Sequence, residues 1–196
     1  MSDISIKLAN RKLFFGYSLG LILFGFITLN TWGLMLCAWF GMAAWLIYRK
    51  RMLPKQLSIS AIYLLVIYLY PVLETIIKFA IQYNFIPGTW FWLNRAEHFF
   101  WAVAVSVLFL PYWSSIKYKI TQLQLNLLIV GLVVILGNFV EFLEFGLRIQ
   151  WGTINNVRGV IYYWDTIYDL MTNVIGAVVG LYIVTKLTGK NTDTKI

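Results

Sequence analysis

Six long apolar runs constrain the fold of this chain more than any other feature. A helix needs about 20 consecutive apolar residues to cross a bilayer core of about 30 Å. Lipid offers the backbone no hydrogen-bond partners, so only helices and closed barrels span it. The runs reach or approach the required length and cover residues 13–29, 32–48, 57–81, 95–113, 123–145 and 166–187. They predict an all-α, polytopic membrane protein, with one bundle of about six transmembrane helices forming a single domain over residues 1–196.

The composition supports this assignment. Hydrophobic residues make up 60% of the chain and charged residues only 12%, whereas about a quarter of a soluble domain is charged. The net charge of +8 comes from basic residues that cluster between the apolar runs. That placement indicates contact with anionic membrane lipids and argues against a nucleic-acid partner. The single cysteine, Cys37, excludes an internal disulfide.

The basic residues also predict the topology. Cytoplasmic loops of membrane proteins are enriched in lysine and arginine. Twelve of the 16 basic residues lie before the first run, between the second and third, between the fourth and fifth, or at the end of the sixth and beyond it. These segments alternate along the chain, so both termini are predicted to be cytoplasmic.

The acidic residues show the opposite distribution. Six of the eight lie at the predicted outward ends of the third to sixth runs: Glu74, Glu97, Glu141, Glu144, Asp165 and Asp169. The same ends carry the basic residues Lys78, Arg95, Arg148 and Arg158 and the histidine His98. Ionisable residues within membrane segments are costly and usually mark a functional site. Aromatic residues, among them Trp92, Tyr163 and Trp164, crowd the same outward ends, as in an interfacial belt.

The last run carries the clearest polar face. Asp165, Asp169 and Asn173 are spaced four residues apart, which places all three on one side of a helix. Asp165 is interpreted as the N-cap of that helix, and Glu97 as a cap in the first turn of the fourth helix. Gly176 and Gly180 predict close approach of another helix. Further expected features are a kink at Pro71 and an ion pair between Glu74 and Lys78.

Three chemical interpretations of the polar residues remain open. A divalent metal ion would be held by ligands from His98, Glu141, Asp165 and Asp169. General acid–base chemistry would use catalytic candidates among His98, Glu141, Glu144, Asp169 and Asn173, with Arg95, Arg148 and Arg158 as candidates for binding a phosphate. A structural network would instead neutralise acids and arginines between helices. The sequence contains no recognisable nucleophile motif or glycine-rich phosphate loop.

Two segments resemble the VanZ-like membrane proteins. The stretch Asn94-Arg95-Ala96-Glu97-His98-Phe99 resembles the opening motif of that family. The pattern Asp169-x-x-x-Asn173-x-x-Gly176-x-x-x-Gly180 resembles its final helix. VanZ-like proteins carry a glutamate followed by a glutamine before their arginine, whereas this chain has Glu141 and Glu144, and Arg158 is the candidate for that arginine.

The segment from Trp164 to Met171, following Glu141 and Glu144, is more similar still to the YjdF-like inner-membrane proteins. The resemblance to these two families extends over roughly residues 90–185. It implies a small multi-pass protein of the bacterial inner membrane with an outward-facing polar site. VanZ-like proteins are linked to glycopeptide resistance, but the resemblance transfers no molecular activity.

Three functions are therefore compatible with the sequence. The first is an envelope enzyme or binding protein for a lipid-linked or polar head-group ligand. The second is a small proton-coupled transporter, because paired carboxylates can relay protons. The third is a non-catalytic membrane scaffold held by ion pairs. The sequence determines neither enzyme activity nor the oligomeric state.

Overall fold

The computed structural model describes residues 10–29, 32–48, 61–88, 90–116, 119–150 and 159–189. All regular structure within these ranges is helical, which confirms the all-α fold. The helices are α1 Arg11–Leu29, α2 Trp32–Tyr48, α3 Ala61–Gln82, α4 Phe91–Leu108, α5 Leu110–Ile116, α6 Gln122–Gln150 and α7 Gly159–Gly189.

The helix lengths identify a polytopic membrane protein. Four apolar segments are long enough to cross a bilayer: Arg11–Leu29, Tyr63–Gln82, Gln122–Leu143 and Tyr163–Lys186. Helix α2 is also apolar but shorter, with 17 residues. Helix α4 is more polar in its first half, where Asn94, Arg95, Glu97 and His98 lie.

The predicted fourth run, 95–113, is divided between two helices in the structure. Helix α4 begins at Phe91 and ends at Leu108, and α5 follows after one residue. Pro111 has no backbone N–H, so a continuous helix would lose a hydrogen bond there. The N–H groups of Tyr112 and Trp113 both donate to the Phe109 carbonyl, at 2.9 and 3.0 Å. The predicted last run, 166–187, likewise lengthens to Gly159–Gly189.

The chain divides into two compact units. One comprises Met1–Trp90 and Leu108–Tyr118, and the other comprises Phe91–Val107 and Lys119–Ile196. The first unit thus contains α1, α2, α3 and α5, and the second contains nearly all of α4 together with α6 and α7. The single-domain interpretation of the chain stays a prediction.

In the first unit, α3 continues through Pro71 because other side chains satisfy the backbone there. Proline removes the donor that the carbonyl four residues earlier would receive. That carbonyl, of Ile67, accepts a hydrogen bond from the Trp39 indole at 3.2 Å. The neighbouring Tyr68 carbonyl accepts one from the Tyr17 hydroxyl at 2.6 Å.

In the second unit, two glycines bring α7 against α4. A β-carbon added to Gly176 would lie 2.5 Å from the Phe99 carbonyl oxygen, and one added to Gly180 would lie 2.5 Å from Ser106 Oγ. Only glycine allows helix backbones to approach so closely. The close approach predicted from this glycine pair is confirmed, and α4 is the partner helix. Residue numbers rise together along the contact, so the two helices run in the same direction.

Candidate functional site

Three ionisable side chains from three helices of the second unit converge on one buried point. His98 lies on α4, Glu141 on α6 and Asp169 on α7. The imidazole Nε2 of His98 lies 3.4 Å from Glu141 Oε1 and 3.6 Å from Asp169 Oδ2. The side chains are 11%, 10% and 4% exposed, respectively. One potential ligand atom from each residue lies within 4.8 Å of the other two. We call these three residues the polar triad.

Helix packing determines where the triad forms. His98 is one residue before Phe99, whose carbonyl faces Gly176, so the close α4–α7 contact lies immediately beside the triad. Helix α6 contacts α7 where Gly137 packs against the side-chain amide of Asn173. Glu141 and Asp169 are each one helical turn from this second contact, on antiparallel helices. The triad therefore lies beside two close helix contacts, at Gly176 and at Gly137, where a residue larger than glycine does not fit.

Asn94 of α4 also contacts Asp169. Its side-chain Nδ2 donates to both carboxylate oxygens of Asp169, at 3.0 and 2.8 Å. This residue was missed as a candidate in the sequence analysis. Its spacing of four residues from His98 places both on one face of α4, and that spacing is the signal that could have identified it.

Asp165 has a different partner from the triad. Its Oδ1 lies 2.9 Å from the Arg95 guanidinium, which also donates to the Phe91 carbonyl at 2.8 Å. The Arg95 Cζ atom lies 5.3 Å from the Tyr168 ring centroid, within cation–π range. The N-cap interpretation of Asp165 is wrong, because α7 already begins at Gly159. The four metal-ligand candidates thus separate into the triad and an Asp165 carboxylate engaged by arginine.

Asn173 lies one turn deeper than Asp169. It is fully buried, and neither amide atom has a hydrogen-bond partner among the residues that the structure describes. A β-carbon on Gly137 would lie 2.6 Å from its Nδ2. Beyond Asn173 the same face of α7 continues with Gly176 and Gly180, which pack closely on α4. The polar face of α7 is therefore followed by tight packing.

The remaining candidates have other positions. Glu97 is buried, at 8% exposure, and lies in the second turn of α4, so its assignment as a first-turn cap is wrong. Glu144 and Arg148 belong to α6, but their side chains, like the whole of Arg158, lie outside the described residues. In the first unit, Lys78 Nζ lies 5.7 Å from the Trp32 ring centroid, and Glu74 is buried.

The triad is chemically versatile. Imidazole and carboxylate groups exchange protons near neutral pH and serve as general acids and bases. The same groups are the usual ligands of borderline divalent metal ions. Because they come from three helices, a ligand bound to them would also hold α4, α6 and α7 together.

No curated protein and no solved structure matches this chain. The sequence model of one family, described as predicted membrane protein (DUF2238), matches residues 10–190. The match includes all seven described helices and every member of the triad. The chain therefore belongs to this family of membrane proteins.

Proposed function

We propose that this chain is a VanZ/YjdF-like protein of the bacterial inner membrane whose outward-facing site binds, and acts on, the polar head group of a lipid or lipid-linked ligand. The observation that carries the proposal is the convergence of His98, Glu141 and Asp169 in a buried position. Burying ionisable groups is costly. A membrane protein that gathers three of them from separate helices therefore gains something other than stability.

The depth of the triad supports a head-group ligand. Trp92, near the start of α4, is 61% exposed, and Trp164, in the second turn of α7, is 52% exposed. Tryptophan favours the membrane interface. At 1.5 Å per residue, His98 and Asp169 lie about 8–9 Å along their helices from these rings. That distance supports a position of the triad just beneath the head groups, within reach of a phosphate or hydroxyl.

Lipid retention provides a direct test. The purified protein would be reconstituted in nanodiscs containing phosphatidylethanolamine, phosphatidylglycerol and a small fraction of undecaprenyl phosphate, and bound lipid would be measured by native mass spectrometry. We expect the wild type to retain one of these lipids selectively, and His98→Ala and Asp169→Asn to lose that selectivity while remaining folded.

The matched control is Asn126→Ala. Asn126 is a polar residue of α6 that pairs with Gln122 at 2.7 Å, far along the helix from Glu141. It should retain lipid like the wild type. Identical lipid retention in the wild type and both triad variants would contradict the proposal.

A non-catalytic scaffold is the second candidate, and the Arg95–Asp165 ion pair favours it. If the polar residues served only to hold helices together, apolar replacement of both partners would be tolerated. For the triad, the scaffold function likewise predicts that replacing His98, Glu141 and Asp169 together by apolar residues would leave both the fold and lipid binding unchanged. A proton-coupled transporter has less support, because the polar face of α7 is followed by tight packing at Gly176 and Gly180.

A further inference from the structure

The spacing within the triad differs from that of hydrogen-bonded ion pairs. A charge-assisted hydrogen bond between nitrogen and a carboxylate oxygen measures about 2.7–2.9 Å. The two distances from His98 Nε2 are 3.4 and 3.6 Å. A tetrahedral ion held by nitrogen and oxygen at about 2.1 Å separates its ligand atoms by about 3.4 Å. The two distances from His98 Nε2 therefore match the edges of a coordination tetrahedron more closely than charge-assisted hydrogen bonds, and the potential ligand atoms of Glu141 and Asp169 lie within 4.8 Å of each other.

The charge of the triad also fits a cation. In the deprotonated forms that bind metal ions, two carboxylates and a neutral imidazole together carry a formal charge of −2. Among the described residues, the Arg95 guanidinium contacts Asp165, on the same face of α7, at 2.9 Å. A divalent cation would match this charge in the buried region where the triad lies.

Asn94 supplies the kind of outer contact that metal-binding carboxylates have. Ligating carboxylates are commonly held in place by hydrogen bonds from neighbouring side chains. Asn94 Nδ2 donates to both oxygens of Asp169, and an ionised carboxylate has about four acceptor positions. The asparagine thus fixes the orientation of the carboxylate and occupies one acceptor position on each of its oxygens.

Asn173 gives an independent indication of a polar occupant. Its amide is fully buried, and neither polar atom has a hydrogen-bond partner among the described residues. Buried polar groups in proteins are normally satisfied by protein or ordered water. The amide lies one helical turn from Asp169, so water in the coordination sphere of an ion at the triad would give it a partner.

We propose that His98, Glu141 and Asp169 bind one divalent ion of the first transition series, with Asn94 positioning Asp169. One imidazole and two carboxylates suit borderline ions such as Zn²⁺ and Mn²⁺. Three protein ligands leave an open position, as in catalytic rather than structural metal sites. The inference rests on the proposed function, because this open position would receive an oxygen of the head group.

The experiment measures binding of Zn²⁺ and Mn²⁺ alone to chelator-treated protein in detergent, by elemental analysis after equilibrium dialysis and by thermal unfolding. We expect one equivalent of ion per chain, with a higher Tm on binding. The near-isosteric variants Asp169→Asn and Glu141→Gln should weaken affinity by about 100-fold or more, beyond the 10–100-fold typical of outer contacts. Asp165→Asn is the matched control, because it removes a carboxylate from the same face of α7 but not from the triad.

The result can separate the metal from the head-group ligand. Retention of ion by the wild type and Asp165→Asn, but not by Asp169→Asn or Glu141→Gln, supports the metal site whatever the lipid experiment gives. Equal binding by all four proteins, or no stoichiometric binding by the wild type, overturns it. In either of those cases, selective lipid retention by the wild type would leave the proposed function standing. Should Asp169→Asn fail to fold, Glu141→Gln and His98→Gln carry the same comparison.

Discussion

A single methyl group added at Gly176 should separate α4 from α7. The β-carbon of Gly176→Ala would lie 2.5 Å from the Phe99 carbonyl oxygen and 2.8 Å from the Ala102 β-carbon. Carbon and carbonyl oxygen pack no closer than about 3.3 Å. The Phe99 carbonyl oxygen belongs to the backbone and cannot rotate away from the new β-carbon. One helix must therefore move by about 0.8 Å, the difference between 2.5 Å and about 3.3 Å.

The expected cost follows from this displacement. Overpacking a close contact costs about 1–3 kcal/mol, and the better helix propensity of alanine returns about 0.5–1 kcal/mol. We therefore expect Gly176→Ala to lower the free energy of unfolding by up to about 2.5 kcal/mol. The same movement would stretch the hydrogen bond from Asn94 to Asp169, now 2.8 Å at its shorter arm, so ligand binding at the triad should also weaken.

The assay is SDS-induced unfolding in mixed micelles, followed by circular dichroism. Gly131→Ala on α6 is the matched control, since a β-carbon there meets nothing within 4 Å. It should be neutral, or more stable than wild type by up to about 1 kcal/mol. If Gly176→Ala were as stable as Gly131→Ala, the close packing of α4 on α7 would be refuted.

Three further variants test other contacts. Arg95→Ala should lower the free energy of unfolding in SDS by about 1–2 kcal/mol, between the values for buried and exposed ion pairs. Adding Asp165→Ala to that variant should restore part of the loss, whereas losses that simply add would argue against coupling of the two residues. Trp39→Phe should cost about 1 kcal/mol in the wild type but less beside Pro71→Ala, which restores the helical donor; an equal cost in both backgrounds would show that the indole does not serve that carbonyl. Asn94→Ala should weaken Zn²⁺ binding by about 10–100-fold, as measured by equilibrium dialysis, and unchanged affinity would remove its positioning role.

Local patterns in the sequence were sufficient to predict that the chain is helical and where most of its helices lie. Apolar runs and the periodicity of helices do not depend on distant contacts, so the all-α fold follows from them. The four-residue spacing of Asp165, Asp169 and Asn173 likewise placed them on one face. Gly176 and Gly180 predicted a close helix contact, because small residues at that spacing let the backbones of membrane helices approach closely.

What the sequence did not reveal depends on helix ends and on partners. Asp165 was interpreted as an N-cap because the apolar run begins beside it, but α7 starts six residues earlier through aromatic residues compatible with either state. The division of the run 95–113 follows from Pro111, a local signal that the apolar pattern concealed. The pairing of Asp165 with Arg95, and the role of Asn94, arise only once α4 lies against α7.

The imidazole of His98 lies between the carboxylates of Glu141 and Asp169, and this arrangement can be measured directly. Because the chain contains one histidine, ¹⁵N-histidine labelling, with a purification tag free of histidine, gives imidazole resonances from this residue alone. We predict that these resonances shift in both Asp169→Asn and Glu141→Gln and stay unchanged in the Asn126→Ala control. Resonances identical in the wild type and both carboxylate variants would contradict the account.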